Sequence, residues 1–422
     1  LAGNTIASTY PLLLKIDSNG IDGTLRAVQD GDATDSALSI ATDSVLVKGS
    51  GIRLYFHDAD GGEHIAGDGT DLTITSGNDI VLATGGSVYG AGKAGTSNTV
   101  YGKSAGASLD AGSNYNVFVG EGVSDASMDD AINNVGVGYQ SLSALIQGDD
   151  NTAVGYRSLL DLEDGDYNVG IGSSAGRGIT DGENNVAIGY QALDANVTGN
   201  INVAIGTSAL GAFIGSAAVA VGREALRDAN HASAADGSVA IGQGALAAMT
   251  DSPNNTAVGY QAGGVTTGGY NTYVGYQAGK GASGAEANNV AVGSNALTAI
   301  TSGQYNVAIG FQAGDALTSM THNTIIGTDA LSTSSLVDQC VVIGSQAAAN
   351  GAVTAAADGT VAIGYAALTA ISSGEHNTAV GFNALNDVVT ANGCTAVGKN
   401  TLASVNKDGN SLCTAVGFQA GT

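Results

Sequence analysis

Five residues that could bind a metal or move protons crowd one short stretch: His57, Asp58, Asp60, Glu63 and His64. Carboxylate oxygens suit hard cations, and paired imidazoles suit transition metals. Asp58-Ala-Asp60-Gly61 matches the start of a calcium loop, but no bidentate Glu follows at the required distance. A charged hairpin tip accounts for the group, and no metal site is expected. Acids such as Asp161, Glu163, Asp164 and Asp166 could pair as glycan-cleaving carboxylates on a repetitive scaffold. They fall in turn-forming stretches, where solvation explains them. The sequence also holds no nucleophile elbow, His-Glu-x-x-His or phosphate loop. No catalytic residue and no cofactor is expected. The remaining candidates are adhesive. Tyr190-Gln191, Tyr260-Gln261 and Tyr276-Gln277 could hold a glycan by stacking and hydrogen bonding. Sealing an edge or a subunit boundary is the plainer use of the same residues.

The charge balance narrows the partners. Thirteen basic residues against 38 acidic ones leave a net charge of −25. Phosphate backbones and anionic membrane surfaces both select for Lys and Arg, so neither is an expected partner. No run of about 20 apolar residues is free of Gly, Asn or Asp, so membrane insertion is not expected either. With 65 glycines but two prolines, the chain is not collagen, and 43% apolar residues exclude a disordered polyelectrolyte. Cys340, Cys394 and Cys413 cannot close a disulfide framework and are expected as free thiols.

What positions all these residues is a repeat. Phrases such as Asn185-Val-Ala-Ile-Gly189 and Asn255-Thr-Ala-Val-Gly259 recur 19 times, their glycines running from Gly102 to Gly417 at a mean step of 17.5 residues. A short fixed period of this kind means a solenoid. Three places before the glycine every residue is Val or Thr, and the intervening place is most often Ala. Alternating β-branched residues mark a strand, and the nine or so residues between phrases read as turns. The expected fold is therefore all-β, a parallel β-solenoid of about 19 rungs over 87–422. A hairpin-rich segment, 1–86, precedes it. Asn185, Asn202, Asn255, Asn271, Asn289 and Asn306 should stack as a ladder beside Gly189, Gly206, Gly259, Gly275, Gly293 and Gly310. The branched side chains are expected to fill the core. The Ala face is expected to pack against further copies of the chain, three around one axis, so that a charge at Ala308 should break assembly.

The phrases Ser238-Val-Ala-Ile-Gly242 and Thr360-Val-Ala-Ile-Gly364 resemble the head repeats of trimeric autotransporter adhesins. That resemblance implies a left-handed parallel β-roll with three chains to a head. The run Gly67-Asp-Gly-Thr-Asp-Leu-Thr-Ile-Thr-Ser-Gly-Asn-Asp-Ile80 is similar to segments of tailed-phage fibre proteins. Together they imply a structural and adhesive virion fibre, a homotrimer joined to other virion or fibre proteins and contacting a host-surface glycan or protein. A bacterial surface adhesin is the alternative, and a glycan depolymerase a more distant one. Arg223, Arg227 and His231 lie in a 20-residue step, a turn expected to project; a tolerated insertion is the plainer reading, and if the rod contacts a receptor this turn is a better candidate than the regular stripe. The last phrase is a regular repeat without a cap, so the biological chain is expected to continue beyond Thr422.

Overall fold

The computed structural model describes residues 95, 97–228, 237–250, 252–281, 284–333, 337–350, 357–404 and 412–421, with the backbone of four short strands near the N-terminus. The chain divides into two compact units, Leu1–Ala83 and Thr84–Thr422. In the first, β1 (Lys15–Ile16), β2 (Arg26–Gln29), β3 (Asp35–Ile40) and β4 (Val45–Val47) form an antiparallel meander. β3 and β4 pair antiparallel, Leu38 with Val47 and Ile40 with Val45. The histidine-rich hairpin around Asp60 lies outside the described residues.

The second unit is the parallel β-solenoid. Nineteen three-residue strands run from β5 (Thr99–Tyr101) to β23 (Thr414–Val416), and among the described residues there is no helix long and apolar enough to cross a membrane. Each strand pairs in parallel and in register with the next, as Val186, Val203 and Val219 do across three successive rungs. A spacing of about 4.8 Å per rung gives a stack about 85 Å long.

Glycine ends every strand for two reasons that act together. The 19 repeat glycines have φ between +127° and +140°, a region that L side chains rarely adopt. Successive glycines also approach each other closely: a Cβ on Gly189 would lie 2.8 Å from the carbonyl carbon and oxygen of Gly206. Past the glycine the chain turns through Gln191 (φ +52°) and Leu193 (φ +51°). The cost of such left-handed residues is about 1 kcal/mol or more each. It is offset by bonds along the stack: Gln191 donates its N–H to Ser173 O at 3.0 Å, and Leu193 donates to Ala209 O at 2.9 Å. The turns are thus stitched rung to rung as the strands are.

The two strand faces are the reverse of the expected ones. Ala187, Ala204, Ala220 and Ala308, at the strand centres, are fully buried, whereas Ile171, Ile241 and Ile309, next to the glycine, remain 39–40% exposed. The reason is space. The interior of a rung already holds the leucine four places after the glycine and a bulky residue seven places after it, as Leu193 and Ile179 show. Only a methyl fits opposite them, so the larger branched residues point outward. A charge at Ala308 would therefore strike the core of one chain, not a contact between chains.

Where the strand centre is large, the neighbouring leucine is missing. Tyr273 lies between Gly263 and Gly279, whose Cβ atoms would sit 2.9 and 2.3 Å from its ring. Ile325 likewise occupies the space beside Gly314, where a Cβ would be 2.9 Å from its Cδ1. Core volume is conserved across rungs, as close packing requires. Accordingly, Ile325→Ala should cost about 2–5 kcal/mol in denaturant unfolding. Ile325→Ala combined with Gly314→Leu, which recreates the Ala–Leu pairing of the regular rungs, should recover most of it. A double variant no more stable than Ile325→Ala would refute this volume exchange.

Candidate functional site

Three groups of side chains could carry function: the buried asparagine column, the outward strand face with its aromatic borders, and the rungs that depart from the pattern. Asn185, Asn202, Asn255, Asn271, Asn289 and Asn306 are all buried. Asn185 Nδ2 donates to Gly199 O at 2.8 Å, and its Oδ1 accepts from the Asn202 amide N–H at 3.0 Å. Each asparagine thus binds its own turn and the next rung, satisfying polar groups that would be costly to bury unpaired. The column is interrupted at Ala218 and Ser238, then resumes with Asn255 accepting the Asn271 N–H at 2.9 Å. It is a structural ladder with nothing left over for a ligand. Cys340, Cys394 and Cys413 stand in the same column and form no disulfide, and burial pushes the Cys340 thiol up to about 11.

The outward face is a different matter. Its two central columns hold only Val, Ile and Thr apart from Tyr101. The aromatic residues that follow the glycine border this face and stack along the rod. Tyr139 lies over Tyr156 at 5.5 Å, Tyr260 over Tyr276 at 5.4 Å, and Tyr365 over Phe382 at 5.2 Å, all between nearly parallel rings. On the other border Tyr115, Tyr167, Tyr270 and Tyr305 are 52–61% exposed. Of the 35 charged residues of the solenoid unit, five fall in these four columns: Glu121, Asp150, Lys103, Arg223 and Lys399. An acidic rod therefore carries one nearly uncharged, apolar face along its whole length.

The candidate receptor contacts are not free cations. Arg227 pairs with Asp228 at 2.6 Å and with Glu224 at 3.1 Å, and Arg223 pairs with Glu224 at 3.1 Å. The Arg227 hydrogen bond holds the Asp228 carboxyl below its ordinary range. His231 lies outside the described residues. At one end of the stack Asp110, Asp129 and Asp130 come close enough to share a cation, but the Asp110 carboxylate already accepts from Ser113 N at 2.9 Å and Asp130 N at 3.3 Å.

Sequence reasoning missed one buried polar group. Glu286 sits seven places before Gly293, a slot most often filled by glycine, and is fully buried beside Tyr273 and Thr266. Its Oε1 accepts from the Thr267 N–H at 3.3 Å, whereas Glu286 Oε2, Tyr273 Oη and Thr266 Oγ1 have no hydrogen-bond partner. Burial pushes the Glu286 carboxyl from 4.5 up to about 7 and the Tyr273 phenol well above its ordinary value. A glutamate in a glycine column and a tyrosine in an alanine column were the available signals. No protein family, curated protein or solved structure matches the chain.

The sign of the Glu286 effect is the opposite of a paired carboxylate. Between pH 4.5 and about 7 the folded chain keeps a proton that the unfolded chain releases, so this group's contribution to stability is lost as pH rises through that window. Thermal unfolding of Glu286→Gln against the unaltered chain should show a stability gap that widens in favour of the variant from pH 4.5 to pH 7. A pH-independent gap would remove the buried carboxyl from the explanation.

Proposed function

We propose that this chain is the stiff, non-catalytic rod of a virion appendage, a phage tail fibre or similar, that works as a homotrimer in attachment to a host surface. The observation that carries this reading is the uncharged Val/Ile/Thr face on a chain of net charge −25. Contiguous apolar patches beyond a few hundred Å² mark interaction sites, and this one runs the length of about 19 rungs. Another copy of the same array offers ridges at the same rung spacing, which an unrelated surface does not. A two-fold pair covers the flat centre of the face and leaves both aromatic borders wet. Three rods around a shared axis cover the centre and bring the borders against their neighbours, which favours a trimer and agrees with the left-handed roll that the repeat phrases resemble. Like charges on the remaining surfaces then keep trimers from bundling. The Val-Ala-Ile-Gly phrases favour, as a second reading, the passenger region of a bacterial surface adhesin, with the same assembly and a cell-surface location.

Light scattering tests the assembly. The native chain should have a mass near 124 kDa, three copies of 41.2 kDa. The triple variant Ile171→Glu, Ile205→Glu and Ile309→Glu places charges on the outward face, where each side chain is 37–40% exposed in the single chain. It should be a folded monomer with an unchanged β-sheet circular dichroism spectrum. Ala308→Asp should abolish folding. A folded triple variant that remains trimeric, or a native chain that is monomeric, would overturn the proposal.

A further inference from the structure

The column two places after the repeat glycine usually carries a side chain, and it is glycine in two rungs alone, at Gly122 and Gly244. Each missing side chain opens a notch in the rod's flank, beside the aromatic border. The notch at Gly122 has a volume of about 130 Å³ and is walled by Lys103, Glu121, Asp125, Tyr139 and Gln140. The notch at Gly244 has a volume of about 190 Å³ and is walled by Glu224, Arg227, Gln243, Gln261 and Lys280.

The two notches share a construction. Beside each lies a cation paired with a glutamate, Lys103 of the preceding rung with Glu121 of the notch's own rung at 3.5 Å, and Arg227 with Glu224, both of the preceding rung, at 3.1 Å. On the following side stands a glutamine, Gln140 or Gln261, each preceded in sequence by a tyrosine, Tyr139 or Tyr260, that is stacked on the next rung's tyrosine; of the two tyrosines, Tyr139 lines its notch. These are the two Tyr–Tyr stacks among the described residues. Gly-x-Gly followed by two successive Gly-Tyr rungs occurs nowhere else in the chain. The duplicated arrangement, seven rungs apart, goes beyond what the solenoid itself requires.

We propose that the two notches are equivalent binding sites for a neutral, hydroxyl-rich saccharide. The chemistry selects that class. At both notches a glutamine amide donates and accepts and a paired carboxylate accepts. The charges left over differ in sign: the Gly122 notch holds one cation and two acids, the Gly244 notch two cations and one acid. A ligand common to both is therefore not chosen by charge. Both volumes are below the range of about 300 Å³ and more that encloses drug-sized ligands, which suits a single ring of a chain that continues into solvent. Seven rungs at about 4.8 Å separate the notches by about 34 Å, so a polymeric glycan could engage several at once and gain by avidity.

This inference rests on the adhesive reading above, and its test separates the two. Gly122→Gln with Gly244→Gln refills both notches with the residue found in the same slot at Gln140 and Gln261. Those residues have φ of +52° and +51°, close to the +63° and +65° of the glycines. A Cβ on Gly122 or Gly244 would meet nothing closer than 3.3 or 3.5 Å, in both cases the side chain of a flexible glutamine. Native and double-variant proteins are applied to a printed array of neutral and acidic oligosaccharides, with mass and circular dichroism measured in parallel. The native chain should bind neutral oligosaccharides, and the double variant should lose at least tenfold of that signal with trimer mass and fold unchanged. An array on which the native chain binds nothing, binds acidic sugars alone, or binds equally well after refilling overturns the notches. A native trimer that binds no saccharide overturns the notches and leaves the rod. A native monomer whose saccharide binding is lost on refilling overturns the rod and leaves the notches.

Discussion

Register is the constraint on which the solenoid depends, and the repeat glycines fix it. At each rung the backbone turns at a φ near +130° while touching the glycine above, so neither the angle nor the space admits a side chain. A slip by one residue would drive a valine or an aromatic into that contact and would turn the alanines outward. Because every glycine meets the next, every other column falls into line. Asparagine then reaches asparagine, leucine fits beside alanine, and tyrosine stacks on tyrosine. Short strands of three residues suffice because the turns share the hydrogen bonding.

Much of this was legible in the residues themselves. The recurrence of Val-Ala-Ile-Gly gave the rung count, the strand positions and the asparagine column, since periodicity is a strong signal even where each copy is short. The orientation of the strands was not legible. Alternation shows that two faces exist, and the usual ordering of burial puts isoleucine inside ahead of alanine. A rung of 17 residues reverses that order, because Leu193 and Ile179 come from its turns and leave room for a methyl alone. Turn residues, not strand residues, supply the bulk of this core. The isoleucines are then left facing outward, and the surface available to partners is the larger and more apolar of the two.

Departures from the repeat carry the information about particular sites. Tyr273 and Glu286 break their columns in one rung, 13 positions apart, and their oxygens end up buried and without hydrogen-bond partners. Gly122 and Gly244 look like two more glycines in a glycine-rich chain until the column that they interrupt is identified. Arg223 and Arg227 attracted notice as basic residues on an acidic chain, yet each lies beside a glutamate or aspartate that pairs with it. In the asparagine column and the aromatic stacks the deciding neighbour lies 16 to 18 positions away, whereas the acids that pair Arg223 and Arg227 lie one to three positions away and were legible along the chain.

The proposal that the outward Val/Ile face joins three chains is best tested by distances within the assembly. Spin labels can be placed at Ile309→Cys, on that face, and at Ser319→Cys, an exposed turn residue about half a rung further along. The native cysteines are first replaced by serine, and dipolar coupling is measured between copies of the chain. Labels at position 309 should give one short distance, clearly shorter than labels at position 319. A longer distance at 309 than at 319 would place the face on the outside of the assembly and contradict the arrangement described.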